Sequence, residues 1–311
     1  MNMEDEDRCG YIVSANMKKI WALQLKMAQY LIDFCRNHNL RIWADGGTLL
    51  GTIRHKGFIP WDDDIDFFMP RADYDKLCSL ASSFEKPYFL QCFLTEKRYY
   101  RGHAQMRCDG TAAMLLGDAF VPIHQGVFID IFCHDNVPED NDAELQRKLA
   151  YVSEMKSRLH TNVYMTFSLY WPVFLKHPKV FFRFLRCKLF FLIKKEEDVY
   201  ESIENAFRSY SEQNCDAVNC PCFSVKNYSR TVRLWKWLQN TIYMPFEDIM
   251  MPVPSGFHEI LSTQYGKDYM TPCKAPSVHG GFAVLDTDRS YLEFIPSVQK
   301  EFLEKVIKSN L

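Results

Sequence analysis

Residues 43–69, "WADGGTLLGTIRHKGFIPWDDDIDFFM", place four aspartates within five positions, directly before an apolar segment. The apolar segment, which is followed by Pro70, predicts a short buried strand that ends at the proline. Because successive side chains of a strand alternate between its faces, Asp64 and Asp66 should share one face and Ile65 should lie on the other. The upstream "DGGTLLGTIRHKG" predicts a strand-to-helix turn with glycines at its mouth. The stretch therefore predicts a strand, turn, helix and strand with paired carboxylates at a sheet end.

The paired carboxylates predict a metal site. Two carboxylates a few ångströms apart repel each other strongly, so a cation should lie between them. Oxygen ligands at this spacing suit Mg²⁺ or Mn²⁺, which also bridge to substrate phosphate. Asp130, the acidic residue of the apolar "FIDIF", is the best candidate for a third carboxylate, because burying an unpaired charge is costly. Turn formation is the alternative explanation, and it suits Asp62 and Asp63 better than Asp66 and Asp130.

The turn before the acidic run predicts phosphate binding. Glycines let the backbone approach a ligand closely, and the free N–H groups of the following helix can bind phosphate, although a glycine pair also occurs in ordinary turns. The basic residues of this connection, and one in "HAQMRCDGT", are predicted either to neutralise phosphate or to lie on a solvated surface. The predicted phosphate-binding residues are Gly46, Gly47, Thr48, Arg54, Lys56 and Arg107.

The remaining pattern predicts an α/β (α+β) fold, with a mixed sheet flanked by helices and a mostly helical C-terminal half. Residues 17–34 have apolar residues at helical spacing, and "YFLQCFLT", "HAQMRCD" and "GVFIDIFCHD" are strand candidates. Beyond Pro138 the pattern becomes helical. We therefore predict a catalytic core in residues 1–138 and a mostly helical region in residues 139–311 that completes the active-site cleft.

Composition narrows the function classes. The formal net charge of −2, with 37 basic and 39 acidic residues, does not indicate a nucleic-acid partner. The N-terminal sequence has no secretory pattern, and the eleven cysteines form no regular framework, so a cytoplasmic location with free thiols is expected. Cys215, Cys220 and Cys222 are the tightest cysteine group; ordinary loop thiols are the preferred interpretation and a zinc site the alternative.

Residues 167–195, "FSLYWPVFLKHPKVFFRFLRCKLFFLIKK", combine many Phe and Leu residues with regularly placed Lys and Arg residues. The charges exclude a membrane-spanning helix. Two interpretations remain: a buried helix whose charged tips reach solvent, or an interfacial helix that lies on anionic lipid. The second would place the protein peripherally on the inner membrane face.

The acidic motif resembles the signature of the LicD family, a branch of the nucleotidyltransferase-fold superfamily that also includes the fukutin-type ribitol-phosphate transferases. The resemblance is dense in "DGGTLLGTIRHKGFIPWDDDIDFFMPRADYDKL", and recurs in "FIDIFCHDNVP" and in "YGKDYMTPCKAPSVHG". It implies a nucleotidyltransferase-like fold. For the site it implies Gly46 and Gly47 as the glycine turn and Asp64 and Asp66 as metal ligands. It implies Asp130 as the third carboxylate, either a metal ligand or the general base.

The family resemblance also implies an activity: metal-dependent transfer of a phospho-alcohol, with phosphocholine favoured, from a CDP-alcohol such as CDP-choline to a hydroxyl of a cell-surface or lipid-linked glycan, with release of CMP. Asp130 or Asp62 would act as the general base, with Mg²⁺ or Mn²⁺ as the cofactor. His279, in "SVHGG", could join the site or be structural. Alternatives are ribitol-phosphate transfer, true nucleotidyl transfer, and a nucleotide-binding module without turnover.

Overall fold

A computed structural model describes residues 2–138, 143–210, 215–220, 228–273 and 281–308. The chain begins with a hairpin of β1 (Glu6–Arg8) and β2 (Tyr11–Val13), followed by helix α1 (Ala15–Asn37). Ser14 caps α1 by accepting a hydrogen bond from the Met17 N–H (3.2 Å). The apolar face of α1, which includes Trp21, is buried in the main hydrophobic core. The helix predicted from the apolar periodicity is therefore confirmed.

The acidic motif forms the predicted strand–helix–strand unit. Its elements are β3 (Trp43–Ala44), α2 (Gly46–Arg54) and β4 (Asp66–Pro70), and α3 (Arg71–Ser79) follows directly. Further along lie β5 (Tyr88–Gln91), β6 (Ala104–Cys108), β7 (Ala112–Leu115) and β8 (Phe128–Val137). The three strand candidates that the sequence predicted correspond to β5, β6 and β8.

The described part of the second half begins with the helices α4 (Ala143–Tyr164), α5 (Phe167–Lys176), α6 (Pro178–Ile193) and α7 (Glu196–Arg208). After them come β9 (Ala217–Asn219), α8 (Tyr228–Thr231), β10 (Arg233–Leu234), the hairpin β11 (Thr241–Phe246) and β12 (Ile249–Pro254), α9 (Phe257–Tyr265), β13 (Phe282–Asp286) and α10 (Tyr291–Lys308). Short strands are thus interspersed with the predicted helices.

Among the described residues, the largest sheet has seven strands and is built around β8. Strands β10, β9, β8, β4 and β3 lie next to one another in this order. Strand β6 pairs with the first half of β8 and, on its other edge, with β5. The second half of β8 pairs with β9 instead. Only β4 and β8 are parallel in this sheet as far as the described residues show. The predicted α/β class is confirmed, and the division at residue 138 stays a prediction.

Two large apolar clusters support the sheet. The main core packs α1, β3, β4 and β8 together, and a second cluster lies between α4 and α7. In contrast, α5 and α6 bury few side chains, which are Leu169, Phe174, Phe184 and Cys187. Most of residues 167–193 therefore lies on the surface, as the interfacial interpretation expects. Within the described part of the chain, no helix combines the length and the apolarity that crossing a bilayer requires.

Candidate functional site

The central parallel pair of strands brings two predicted carboxylates side by side. Asp66, the first residue of β4, is the register partner of Asp130 on β8. The Asp130 N–H donates to the carbonyl oxygen of Ile65 (3.0 Å), and the Asp45 N–H donates to that of Asp66 (2.9 Å). Since neighbouring strands lie about 4.8 Å apart, three aspartates from separate sequence regions meet at one sheet end.

The acidic run before β4 forms a tight group of its own. Oxygen atoms of Asp62, Asp63 and Asp64 all lie within 4.8 Å of one another, which within the described residues is the one such group able to hold a metal ion. The backbone of this run is anchored to α1, because the Trp21 and Gln24 side chains donate to the carbonyl oxygens of Asp62 (3.1 Å) and Asp63 (3.0 Å). The structure therefore groups Asp64 most closely with its sequence neighbours.

The carboxylates of this sheet end interact electrostatically across both strands. Burial, followed by the charges of Asp62 and Asp130, raises the pKa of Asp64 well above its usual range. Burial and then the charges of Asp64 and Asp130 do the same for the pKa of Asp66. A concentration of hard oxygen ligands with mutual repulsion is the donor set that Mg²⁺ and Mn²⁺ prefer, so the residues present fit such an ion.

Asp130 has different surroundings from its two acidic neighbours. Its Oδ1 atom lies 3.1 Å from His103 Nε2 and accepts a hydrogen bond from Gln105 Nε2 (2.7 Å). Burial alone would raise the pKa of Asp130, but the His103 ring, Gln105 and Arg101 outweigh it and lower the pKa. Asp130 is thus held in one orientation and favoured in its ionised form.

Arg107 lies beneath this arrangement and is fully buried. Its guanidinium donates to Gln91 Oε1 (2.7 Å), to the Gly126 carbonyl oxygen (2.7 Å) and to the side-chain oxygen of Gln105. Because this last bond occupies the oxygen of the Gln105 amide, the NH₂ group is directed at Asp130. Burial lowers the pKa of Arg107 to about 10. The contacts of Arg107 thus position Gln105 and, through it, Asp130.

The glycine turn lies against the acidic group. Gly46 has φ +48°, a conformation that other residues rarely adopt, and Asp45 caps α2 by accepting from the Gly46 N–H (2.6 Å). A Cβ atom on Gly47 would lie 2.4 Å from an oxygen of Asp62, so this carboxylate needs glycine beneath it. The Thr48 hydroxyl accepts from the Asp66 N–H (2.9 Å), so it fixes the start of β4. Phosphate binding by these three residues stays a prediction.

Asp45 itself has buried basic partners. Its carboxylate forms an ion pair with Arg233, and His134 Nε2 lies 3.7 Å away. The Arg233 guanidinium in turn stacks 4.0 Å above the Phe68 ring. Burial would raise the pKa of Asp45, but the charge of Arg233 overcomes this effect and holds it well below the usual range. This pair connects β3, α2 and β10 behind the site.

Arg54 and Lys56 do not line the same cavity as the carboxylates. Arg54 Nη1 donates to the carbonyl oxygen of Tyr269 (2.9 Å) and lies in a separate cavity with Tyr265 and Trp61. Lys56 is exposed, with φ +55°, on the connection after α2. Their predicted role in phosphate binding remains untested. Lys56 lies on the solvated surface, which was the alternative interpretation.

A cavity of about 280 Å³ opens beside the carboxylates. Its polar wall combines acids with basic groups from β6 and the loop before it, and its apolar wall comes from β7, β8 and β13. A second cavity of about 450 Å³ shares Arg101, Leu115 and Asp118 with the first and is rich in tyrosine. The polar lining of the first cavity consists of Gln24, Asp63, Asp64, Arg101, His103, Gln105, Arg107, Asp118 and Asp130.

Sequence reasoning missed His103 and Gln105, which contact Asp130, and it predicted Arg107 only as a phosphate-binding residue. His103 lies just before β6 and alternates with the strand residues, so His103, Gln105 and Arg107 lie on one side and Ala104, Met106 and Cys108 on the other. This period-two pattern was the available signal. Arg101 was also missed; it pairs with Asp118 (2.7 Å) at the junction of the two cavities.

Two sequence predictions cannot be compared fully with the structure. His279 lies outside the described residues, as does Cys222 of the cysteine group. Cys215 is half-buried and Cys220 is buried. Among the described residues, the metal-ligating group found in the structure contains no cysteine.

The fold and the site define an α/β protein with an acidic cavity at the end of its central parallel strands. Residues 39–116 match the family model described as LicD/FKTN/FKRP, nucleotidyltransferase domain. This range includes the glycine turn and the acidic run and ends before Asp130. The resemblance to the LicD family that the sequence motifs indicated is therefore confirmed.

Individual relatives extend the comparison. Over 263 residues, 79% of this chain and 88% of the relative, the protein is 27% identical to the lipopolysaccharide cholinephosphotransferase LicD of Haemophilus influenzae. A segment of 39 residues, 12% of this chain and 8% of the relative, is 44% identical to the ribitol 5-phosphate transferase FKRP of Homo sapiens, and the Mus musculus protein gives the same values. The first similarity extends over most of the chain, whereas the second is local.

Proposed function

We propose that this protein transfers a phospho-alcohol, with phosphocholine favoured, from a CDP-alcohol to a hydroxyl of a glycan or lipid-linked glycan and releases CMP. The observation that carries this proposal is the register pairing of Asp66 with Asp130 beside the Asp62–Asp64 group. Asp63, Asp64 and Asp130 line a cavity that also contains His103. The extended similarity to a cholinephosphotransferase supports the choice of alcohol.

Asp64 and Asp66 would hold the divalent cation, together with Asp62 or Asp63 from the tight group. When bound, Mg²⁺ or Mn²⁺ would neutralise the donor diphosphate and the charge that develops on the leaving CMP. Asp45 lies close to these acids, but its charge is already paired with Arg233. The proposed ligand set therefore excludes Asp45.

The protein residues would supply orientation and proton transfer. The acceptor oxygen forms a bond to the phosphorus that carries the alcohol, while the bond from that phosphorus to the CMP oxygen breaks. The hydroxyl proton passes to a carboxylate, for which Asp130 and Asp62 are the candidates. Asp130 is well suited because His103 and Gln105 fix one of its oxygens and favour its charged form. His103 and Arg101 also line the cavity wall where the phosphates would bind.

The test combines binding with turnover. We expect purified protein to bind CDP-choline in a calorimeter only with Mg²⁺ or Mn²⁺ present, and to release CMP when an acceptor glycan is added. Asp64→Asn/Asp66→Asn should abolish metal-dependent binding. Asp130→Asn should reduce CMP release by a factor on the order of a hundred or more. The matched control is Asp198→Asn, an exposed aspartate on α7 away from the cavity, which should behave like the unchanged protein.

Ribitol-phosphate transfer is the second candidate, because the FKRP similarity falls in the same family. CDP-ribitol in the same experiment distinguishes the two alcohols. Binding of a CDP-alcohol without CMP release in the presence of several acceptors would instead indicate a module without turnover. A folded protein that binds neither CDP-alcohol with metal present would contradict the proposal.

A further inference from the structure

Helix α6 exposes an apolar stripe that the fold leaves uncovered. Phe182, Leu185, Leu189 and Leu192 follow one another at spacings of three, four and three residues, so they lie on one face of the helix. Ile193 extends this stripe, and its side chain is 86% exposed, while that of Leu192 is 80% exposed. Large aliphatic side chains rarely remain this exposed in such a contiguous row, so the stripe indicates a contact surface.

The neighbouring helix α5 adds to the same kind of surface. Phe167, Trp171 and Leu175 have 59%, 49% and 68% of their side chains exposed. Two other residues of α5, Leu169 and Tyr170, line the tyrosine-rich second cavity. The helical hairpin therefore has an inner side that lines a cavity and an outer side that is apolar and open to solvent.

A basic flank borders the α6 stripe. Lys179, Arg183 and Arg186 line a groove of about 390 Å³ between α4 and α6, together with Arg158. Arg158 is paired with Glu154 (2.6 Å), whereas the described residues provide no ion pair for the other three basic side chains. Residues 167–195 contain seven Lys and Arg residues and no acidic residue, in a chain of net charge −2. The hairpin therefore carries a strong local positive charge, and the basic side chains of the groove border the apolar stripe.

We propose that the outer side of the α5–α6 hairpin docks on the surface of an anionic phospholipid bilayer. The apolar stripe would enter the acyl boundary, and the groove of Lys179, Arg183 and Arg186 would receive lipid phosphates. Aromatic and aliphatic residues on one face with lysine and arginine at its edge are the features of helices that lie in the membrane interface.

Charge favours a lipid surface over a second copy of the chain. A two-fold interface through this hairpin would bring the same cations of both copies together, and no acidic residue of the hairpin would compensate them. Docking would also place the second cavity, which α5 lines, next to the membrane. This position suits a lipid-linked acceptor, although the docking itself does not depend on the proposed activity.

Vesicle sedimentation of the full chain tests the proposal. We expect binding to vesicles of phosphatidylcholine mixed with phosphatidylglycerol, little binding to phosphatidylcholine alone, and weaker binding as NaCl is raised. The basic variant Lys179→Gln/Arg183→Gln/Arg186→Gln should weaken binding by a factor on the order of a hundred. The apolar variant Leu189→Ser/Leu192→Ser/Ile193→Ser should weaken it by roughly tenfold or more.

Matched controls remove similar side chains elsewhere. Lys19→Gln/Lys26→Gln/Lys300→Gln removes three exposed cations, and Ile242→Ser/Met250→Ser removes exposed apolar groups from the β11–β12 hairpin. Both controls should retain binding, and circular dichroism should show that all variants are folded. The proposal would be overturned if the basic and apolar variants of α6 bound vesicles as well as the controls do, or if the wild-type protein did not bind. A dimer in sedimentation velocity that only the apolar variant dissociates would assign the surface to a second copy and likewise overturn it.

Discussion

At the scale of single residues, Asp45 links the turn of the site to the rest of the molecule. It caps α2 through the Gly46 N–H, its own N–H bonds to the Asp66 carbonyl oxygen, and its carboxylate pairs with Arg233. Both charged side chains are buried, so neither can replace its partner with water. The turn depends on an ion pair between residues far apart in the sequence.

Removal of either partner should therefore be costly. We expect Asp45→Asn or Arg233→Met alone to lower the free energy of unfolding by about 3–5 kcal/mol, because each leaves a buried charge without its partner. The double variant should lose clearly less than the sum of the two single losses. Urea unfolding of all four proteins measures this coupling, and strictly additive losses would show that the two side chains act independently.

The same ion pair predicts a pH dependence. The pKa of Asp45 is lowered on folding, so its contribution to stability is complete above its unfolded value and is lost as the pH falls through the folded value. The unfolded pKa is close to 3.8. The difference in unfolding free energy between the unchanged protein and Asp45→Asn should hold from pH 7 to about pH 5 and narrow at more acidic pH. A difference that stays constant as the protein is acidified would contradict this assignment.

Gly47 gives a prediction about activity rather than stability. In Gly47→Ala the new methyl group would overlap the Asp62 carboxylate, which would have to leave the acidic group. Displacing a site carboxylate by about 1 Å commonly reduces turnover about a hundredfold, so we expect that loss in CMP release with a small change in urea midpoint. Gly281→Ala is the control, since a Cβ atom there meets nothing within 4 Å. Full activity of Gly47→Ala would show that turnover does not depend on the position of the Asp62 carboxylate.

At the scale of elements, strand β6 supplies the support for Asp130. Buried polar residues on one of its faces form a chain of hydrogen bonds from Arg107 through Gln105 to the carboxylate, and His103, just before the strand, lies near the same carboxylate oxygen. The strand thus contributes orientation, while β4 and β8 contribute the acids. A site residue that is oriented through such contacts usually loses much of its effect when they are removed.

Variants of β6 should accordingly reduce turnover without unfolding the protein. We expect His103→Asn and Gln105→Ala each to lower the rate of CMP release by roughly ten- to a hundredfold. Their apparent affinity for Mg²⁺, measured by titration, should fall as well if Asp130 binds the ion. Gln29→Ala on α1 serves as a control glutamine outside the cavity. Unchanged rates in both variants would exclude a positioning role for His103 and Gln105.

The sequence predicted local elements better than the contacts between them. Alternation and Pro70 defined β4, and the isolated acid in "FIDIF" identified Asp130, because both signals are local. The direction of Arg54 was not predictable in this way: its partner is the carbonyl oxygen of Tyr269, 215 residues along the chain. The partner of Asp45 was hidden for the same reason, since nothing near Arg233 in the sequence indicates burial beside a turn.

At the scale of the whole molecule, the central sheet spans the predicted boundary at residue 138. Strand β8 ends at Val137, which pairs with Ala217 of β9. Arg71 at the start of α3 donates to both oxygens of Asp135 on β8 (2.7 Å each) and to Glu204 on α7 (2.7 Å). Because Arg71 is buried, these bonds join the two halves of the chain through one guanidinium.

These contacts predict that the two halves unfold together. We expect a single urea transition, with coincident midpoints for tryptophan fluorescence and far-ultraviolet circular dichroism; residues 1–138 and 139–311 contain three tryptophans each, so fluorescence reports on both. Arg71→Met should lower the free energy of unfolding by about 3–5 kcal/mol, because Asp135 would remain buried without its partner. The single transition should therefore move to a lower urea concentration. Arg36→Met, at an exposed ion pair of α1, is the control and should change it by less than about 1 kcal/mol. Two separated transitions, with Arg71→Met affecting the spacing between them, would instead show that the predicted catalytic core and helical region fold as distinct units.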